Sequence, residues 1–216
     1  MTAEIPDAIA NKIIDEIIEQ ARMIEVSKDW KPVELASAVI FDGAKLVGVR
    51  GLPTAKEWRE NYFSAVGPLL FVPRDWRTSM GGKARLRIVI HEATHTSQFW
   101  ADARFVPWYV GHTEARAAYE GEAYGTGDEF DFATDGQIAA SVDALVHPVR
   151  EGYAMNDGDK RLVGGMREQH VTSVVNGVIT SHWGRYAIQR LWQLAPACLD
   201  PRAVATIQAG SPGLLV

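Results

Sequence analysis

Two histidines and a glutamate are spaced for metal chemistry. The chain contains the run His91-Glu92-Ala93-Thr94-His95 within the segment IVIHEATHTSQFW. Residues four apart on a helix lie on the same face, so the imidazoles of His91 and His95 can share one metal ion. Two neutral imidazoles suit Zn²⁺, and the carboxylate of Glu92 can take a proton from a water bound to that ion. The spacing therefore predicts a zinc site with Glu92 as the general base.

The context of this run favours the metal interpretation over two histidines that merely decorate a helix surface. Residues Lys83 to Trp100 follow a Gly-Gly break and place Leu86, Val89 and Ile90 on one helical side. The motif is therefore predicted to lie on an apolar helix and not in a polar loop.

The run HEATH resembles the HExxH signature of the zincin metallopeptidases. The metzincin version needs a Gly and a third His soon after His95, and residues 96–102 contain neither. Downstream, the sequence YEGEAY at residues 119–124 resembles the E-x-E-A segment of compact bacterial and phage HExxH proteins. The resemblance covers about Lys83 to Gly127. It implies a gluzincin-like zinc peptidase that cleaves a peptide or protein substrate, with Glu120 as the third zinc ligand and an edge strand that pairs with the extended substrate.

The residues alone leave the third ligand open. A catalytic zinc needs three protein ligands and one open position, so one more ligand is expected. Glu120 and Glu122 each share a helix face with small residues, and periodicity does not choose between them. Glu114 and His112 are further alternatives. Tyr124 stands four residues after Glu120, where gluzincins often have Asp or Asn.

Other polar and aromatic residues remain unassigned. A zincin needs a group that steadies the oxyanion of the tetrahedral intermediate, and the candidates are His170, Tyr124, Tyr153, His147 and His182. Of these, His170 is expected to be a hydrogen-bonded core residue, because it shares a helical stripe with Met166 and Val174. Core packing is also the preferred interpretation of an aromatic group that could instead line a substrate groove: Phe99, Trp100, Phe105, Trp108 and Tyr109.

The elements that must position these residues are mostly helices. An amphipathic helix is predicted from Ile9 towards Ile24, and a β-hairpin from Ser37–Phe41 and Lys45–Val49 around Asp42-Gly43. A helix from Thr54 to about Ala65 begins with a capping box, and Leu69–Val72 is a short buried strand. Further predicted helices are Thr113–Tyr124, ending near Gly125 and Gly127, then Gln137–Val146, Lys160–Ile179, Arg185–Leu194 and Arg202–Gln208; the tail from Gly210 is expected to fray.

These patterns predict an α+β, zincin-like fold in one domain that spans residues 1–216. Its parts are an N-terminal helix and sheet at about 5–75, metal-binding helices at about 83–127 and a helical C-terminal half at about 134–208. A hydrophobic fraction of 47 % is enough for a real core. The net charge of −5 argues against nucleic acid as a partner.

The compartment is expected to be the cytoplasm. The one cysteine, Cys198, cannot form an internal disulfide, and neither a signal peptide nor a run long enough to span a membrane is found. The sequence leaves the oligomeric state open.

Two other functions also remain open. One is a structural or assembly component, of a phage or a secretion machine, that keeps a zincin domain as a metal-stabilised scaffold. The other is a regulatory sensor or toxin-immunity module.

Overall fold

The computed structural model describes residues 3–39, 54–138 and 155–216. The N-terminal part contains the helices α1 (Asp7–Gln20), α2 (Lys31–Ser37), α3 (Ala55–Asn61) and α4 (Trp76–Ser79), and the strands β1 (Ile24–Ser27), β2 (Ser64–Val66) and β3 (Leu69–Val72). It is followed by α5 (Gly82–Ala101), α6 (Phe105–Gly111), α7 (Thr113–Asp135), α8 (Asp157–Val175), α9 (His182–Leu194) and α10 (Pro201–Gly210), with a 3₁₀ turn at Pro196–Cys198.

The strands form one small sheet in the order β1-β3-β2. β1 is parallel to β3, whereas β2 and β3 form an antiparallel hairpin. The two-residue turn of this hairpin begins at Gly67, whose φ of 59° is the left-handed conformation that such a turn needs at its first position. The outer edge of β2 faces α5, which places the sheet beside the HExxH motif.

The hydrophobic core forms between α1, the sheet, α5, α7 and α9. In α1, Ile13, Ile14 and Ile17 are completely buried. Burial of each of these side chains stabilises the folded state by about 1.5–3 kcal/mol. They pack against α5, on which Leu86, Val89 and Ile90 are also completely buried. This packing confirms the predicted apolar side of the motif helix, and it fixes which side of α5 is left for chemistry.

Two glycines let α7 and α8 pack closely. A Cβ at Gly121 would lie 2.9 Å from Met166, and one at Gly125 would lie 2.2 Å from the ring of His170. The prediction that α7 ends near Gly125 and Gly127 is therefore wrong, because these glycines serve helix contact and not termination. The helix continues to Asp135 and ends at Gly136, which has a φ of 68°.

Several other predicted boundaries also change. Ser37 to Val39 are helical and not the start of a strand, while the rest of the predicted hairpin, 40–49, lies outside the described residues. α3 begins with the predicted capping box at Thr54 but ends at Asn61, because Ser64–Val66 pairs with β3. α1 ends at Gln20, since Arg22 adopts a left-handed φ of 56°, and Ile24 belongs to β1.

The C-terminal helices are confirmed with small shifts of their ends. α8 ends at Val175 instead of Ile179, and the predicted helix Gln137–Val146 begins with two residues that are not helical and otherwise lies outside the described residues. The expectation of a frayed tail is wrong, because Leu214 and Leu215 are buried and the carbonyl of Leu214 accepts a hydrogen bond from Gln189 at 2.9 Å. In the described ranges, every helix is too short or too polar to cross a membrane.

Candidate metal centre

α5 presents His91 and His95 side by side. The two residues are one helical turn apart, and their ring centroids are separated by 4.8 Å. Both lie on the side of α5 that faces α6 and α7, away from the apolar side that packs on α1. The local structure thus realises the arrangement that the spacing predicts.

α7 brings Glu120 to the same place. Its side chain is completely buried, with Oε1 3.3 Å from His95 Nε2 and Oε2 3.5 Å from His91 Nε2. One ligand atom from each of the three residues lies within 4.8 Å of the others, and the described residues contain no other such cluster. Of the alternatives for the third position, Glu122, Glu114 and His112 are all exposed and lie outside this cluster.

The cluster fits a zinc ion. Two imidazoles and one carboxylate are a ligand set of catalytic zinc sites. The Oε2 atom of Glu120 is buried, and no described residue donates a hydrogen bond to it. Burying a carboxylate oxygen without a hydrogen-bond donor costs desolvation free energy. A cation held between Glu120 and the two imidazoles would compensate this cost.

The three side chains influence one another strongly in the absence of metal. Burial acts to lower the pKa of His95, but the charge of Glu120 and its hydrogen bond to the ring outweigh burial, with smaller contributions from Glu92 and Gln98, and raise the pKa to about 9. Burial acts to raise the pKa of Glu120, and the neighbouring His95 and His91 nevertheless hold it well below its usual range. The site therefore stabilises the anionic form of Glu120 beside a cationic or metal-bound His95.

Aromatic residues of α6 cover one side of the cluster. The hydroxyl of Tyr109 donates a hydrogen bond to Oε1 of Glu120, and the ring of Phe105 lies 6.1 Å from that of His95. Burial and the charge of Glu120 raise the pKa of Tyr109 well above its usual value, so its proton stays in place as a donor. Core packing is thus the right interpretation for Phe105 but not for Trp100 and Trp108, which are exposed.

His95 also has a partner on its other ring nitrogen, which the sequence interpretation missed. Its Nδ1 lies 2.8 Å from Oε1 of Gln98, one turn further along α5. The Nε2 of Gln98 donates hydrogen bonds to the carbonyl of Tyr119, at 3.1 Å, and to Oε2 of Glu122, at 2.7 Å. The position of Gln98 three residues after His95 was the available signal, because such residues share a helix face.

Glu92 is buried beside the cluster and is held by the sheet. Its Oε2 accepts a hydrogen bond from the backbone N–H of Ala65 in β2, at 2.6 Å. One turn along α5, the hydroxyl of Thr96 donates to the carbonyl of Gly67 at 3.1 Å. The N–H of Ala65 belongs to the outer edge of β2, and Gly67 begins the turn that follows this strand, so α5 covers this edge of the sheet.

The segment that leads into β2 is anchored by a buried lysine. The Nζ of Lys28 donates to the carbonyls of Trp58, at 2.8 Å, and Tyr62, and it lies 3.8 Å above the Trp58 ring. Burial lowers the pKa of Lys28 to about 7, although the charge of Glu92 acts in the opposite direction. No sequence pattern pointed to this residue.

The residues considered as stabilisers of the oxyanion differ in their position relative to the metal cluster. Tyr124 packs against His91, with ring centroids 4.7 Å apart. His170 instead hydrogen bonds to Glu129 at 2.8 Å and lies in the wall of a separate cavity of about 470 Å³, together with His182. This agrees with the prediction of a hydrogen-bonded histidine and separates His170 from the cluster. His147 and Tyr153 lie outside the described residues.

Access to the cluster is narrow. The side chains of His91, His95 and Glu120 are 13 %, 6 % and 0 % exposed, so the approach from solvent is over His91. Neither the 470 Å³ cavity nor a second one of about 640 Å³ beside Lys28 is lined by these three residues.

Comparisons with known proteins found no relative of this chain. No family model matches the chain, and neither a curated protein nor a solved structure matches it. The zincin resemblance therefore rests on the motif residues, and the zincin fold stays a prediction.

Proposed function

We propose that this protein is a zinc-dependent hydrolase that cleaves peptide bonds, with His91, His95 and Glu120 as the zinc ligands. The observation that carries the proposal is the convergence of these residues from two helices, with an oxygen of Glu120 that has no hydrogen-bond donor among the described residues. A bound zinc ion would supply a Lewis acid that polarises a carbonyl and lowers the pKa of water.

Glu92 is the general base in this proposal. The hydrogen bond from Ala65 holds Oε2 and fixes the carboxylate, and Oε1 remains to accept a proton from water. A base held in one orientation needs no reorganisation when the proton moves, which favours catalysis. Tyr109, whose hydroxyl donates a hydrogen bond to Glu120, would hold this zinc ligand in position.

A metal-stabilised scaffold, such as an assembly component, is the second candidate. Two observations favour it: the three ligands are almost completely buried, and the Glu92 carboxylate accepts a hydrogen bond from the sheet edge. Because Glu92 completes the hydrogen bonding of a sheet edge, a non-catalytic protein would also have a use for a carboxylate at this position.

One set of variants separates the two candidates. We expect about one zinc per chain by elemental analysis, and a loss of this zinc in His91→Ala. Glu92→Gln keeps an acceptor oxygen for Ala65 and loses the base, so it should retain fold and zinc but lose hydrolysis by about a hundredfold or more. Glu114→Gln, an exposed glutamate on α7, is the matched control and should behave as wild type.

The assay is digestion of a broad peptide library by the zinc-loaded proteins. Equal cleavage by wild type and Glu92→Gln would remove Glu92 from the mechanism. Zinc binding without cleavage by wild type would favour the scaffold. Wild type that takes up no zinc would contradict both candidates.

A further inference from the structure

The hydrogen bonds of Gln98 determine how its amide is oriented. A carbonyl and a carboxylate only accept hydrogen bonds, so the atom of Gln98 that faces Tyr119 O and Glu122 Oε2 must be the NH₂ group. The amide oxygen then faces His95 Nδ1 at 2.8 Å and accepts a hydrogen bond from it. The proton on Nδ1 is thereby held by Gln98, so Nε2, which faces Glu120 at 3.3 Å, is the nitrogen that would bind a metal in place of its own proton.

We propose that Gln98, itself held by Tyr119 and Glu122, is the positioning residue that presents His95 Nε2 to the metal. The inference rests on the zinc site proposed above and extends it beyond the three ligands. It assigns Glu122 the outer end of a hydrogen-bonded chain, Glu122 to Gln98 to His95, instead of a place among the ligands.

The hydrogen bonds of Gln98 also connect the two helices that supply the ligands. Gln98 lies on α5 with the histidines, while Tyr119 and Glu122 flank Glu120 on α7. Gln98 is buried, with 7 % exposure, whereas Glu122 is exposed to solvent. The bond between Gln98 and His95 is therefore shielded from competing water, and the bond to Glu122 is not. Loss of Gln98 should accordingly weaken zinc binding more than loss of the Glu122 charge.

Zinc affinity, measured by competition with a chelator on the full chain, tests this order. Gln98→Leu removes the amide at similar volume and should bind zinc about tenfold to a hundredfold more weakly, the usual effect of removing a partner of a ligand. Glu122→Gln keeps an acceptor oxygen and should fall between Gln98→Leu and wild type. Gln20→Leu, which removes an exposed glutamine amide far from the site, is the matched control and should equal wild type.

A reciprocal exchange distinguishes the hydrogen-bonded chain from simple packing. In the double variant Gln98→Glu with Glu122→Gln, the carboxylate at position 98 can accept from His95, and the amide at position 122 can donate to that carboxylate, while the hydrogen bond to the carbonyl of Tyr119 is lost. We expect this variant to bind zinc at least about tenfold more tightly than Gln98→Leu. Thermal unfolding of each variant checks the fold. If Gln98→Leu does not fold, the zinc affinity of the exchange variant is compared with that of wild type, and the two should lie within about tenfold of each other.

The imidazole NMR signals of His95 give a second readout that packing alone would not change. In zinc-loaded wild type, the Nδ1 proton should be visible and exchange slowly with water, and in Gln98→Leu it should exchange rapidly. A Gln98→Leu affinity within about twofold of wild type, while His91→Ala loses zinc, would overturn the inference and leave the zinc site intact. Wild type without zinc would overturn both. Affinities in the expected order support the inference even if no peptide is cleaved.

Discussion

The buried ammonium of Lys28 predicts a stability that changes with pH. Its side chain has 0 % exposure, and its hydrogen bonds go to two backbone carbonyls and to no carboxylate among the described residues. Burial lowers its pKa from 10.5 to about 7, with the charge of Glu92 opposing the shift. Lys28→Met keeps most of the apolar stem and removes the charge, so it isolates the free energy of burying this ammonium.

The sign and size of the effect follow from proton binding. Below pH 7 both the native and the unfolded chain carry the proton, and the native state bears the full penalty of burying a charge. Between about pH 7 and 10.5 the unfolded chain binds a proton that the native chain has released, so the free energy of unfolding rises with pH. The slope is about 1.4 kcal/mol per pH unit, which gives at most about 3 kcal/mol between pH 7 and pH 9.

Urea unfolding of wild type and Lys28→Met at pH 6, 7, 8 and 9 measures this contribution. A chelator is present throughout, so that zinc binding does not add its own pH dependence. We expect the stability of wild type relative to Lys28→Met to be constant from pH 6 to 7 and to rise above pH 7. Lys31→Met, at a lysine whose side chain is 73 % exposed, should show no such rise. A relative stability that stays flat within about 0.5 kcal/mol to pH 9 would refute the argument.

Two further predictions concern α7. Glu120→Ala should weaken zinc binding far more than Glu122→Ala in chelator competition, because the first removes a ligand and the second an outer partner; the reverse order would make Glu122 the ligand. Gly125→Ala should lower the free energy of unfolding by about 1–3 kcal/mol, because its Cβ would meet the His170 ring at 2.2 Å. Gly165→Ala on α8, where nothing lies within 4 Å, should instead be neutral or stabilise by up to about 1 kcal/mol, and equal effects at both sites would contradict the packing argument.

Local periodicity was sufficient for part of the site. The positions of His91, Glu92 and His95 on one helix follow from spacing alone, because the helical repeat fixes which side chains are neighbours. The choice of Glu120 over Glu122 needed the packing of α7 on α5, which decides the buried face of α7. Periodicity could not supply this decision, since both faces of that helix carry small residues.

The glycines of α7 show why its end could not be predicted. Glycine is common at helix C-termini, and Gly125 and Gly127 follow a good helical run, so the local signal favours termination. The same residue type also permits close helix contact, and only the presence of α8 across from Gly121 and Gly125 distinguishes the two uses. β1 was missed for a related reason, because the chain turns out of α1 through the left-handed Arg22, without a glycine to mark the end of the helix.

Glu92 connects the fold to the chemistry, and this constrains how its role can be tested. The carboxylate satisfies the N–H of Ala65 on the edge of β2 and stands next in sequence to His91. An alanine at this position would remove the base and also leave a backbone N–H without its acceptor, so lost activity would have two explanations. The amide of Glu92→Gln keeps an oxygen for Ala65 and cannot take a proton from water. Only that variant separates a catalytic carboxylate from one that holds the sheet edge, because retained zinc, retained stability and lost hydrolysis together require that the base itself was used.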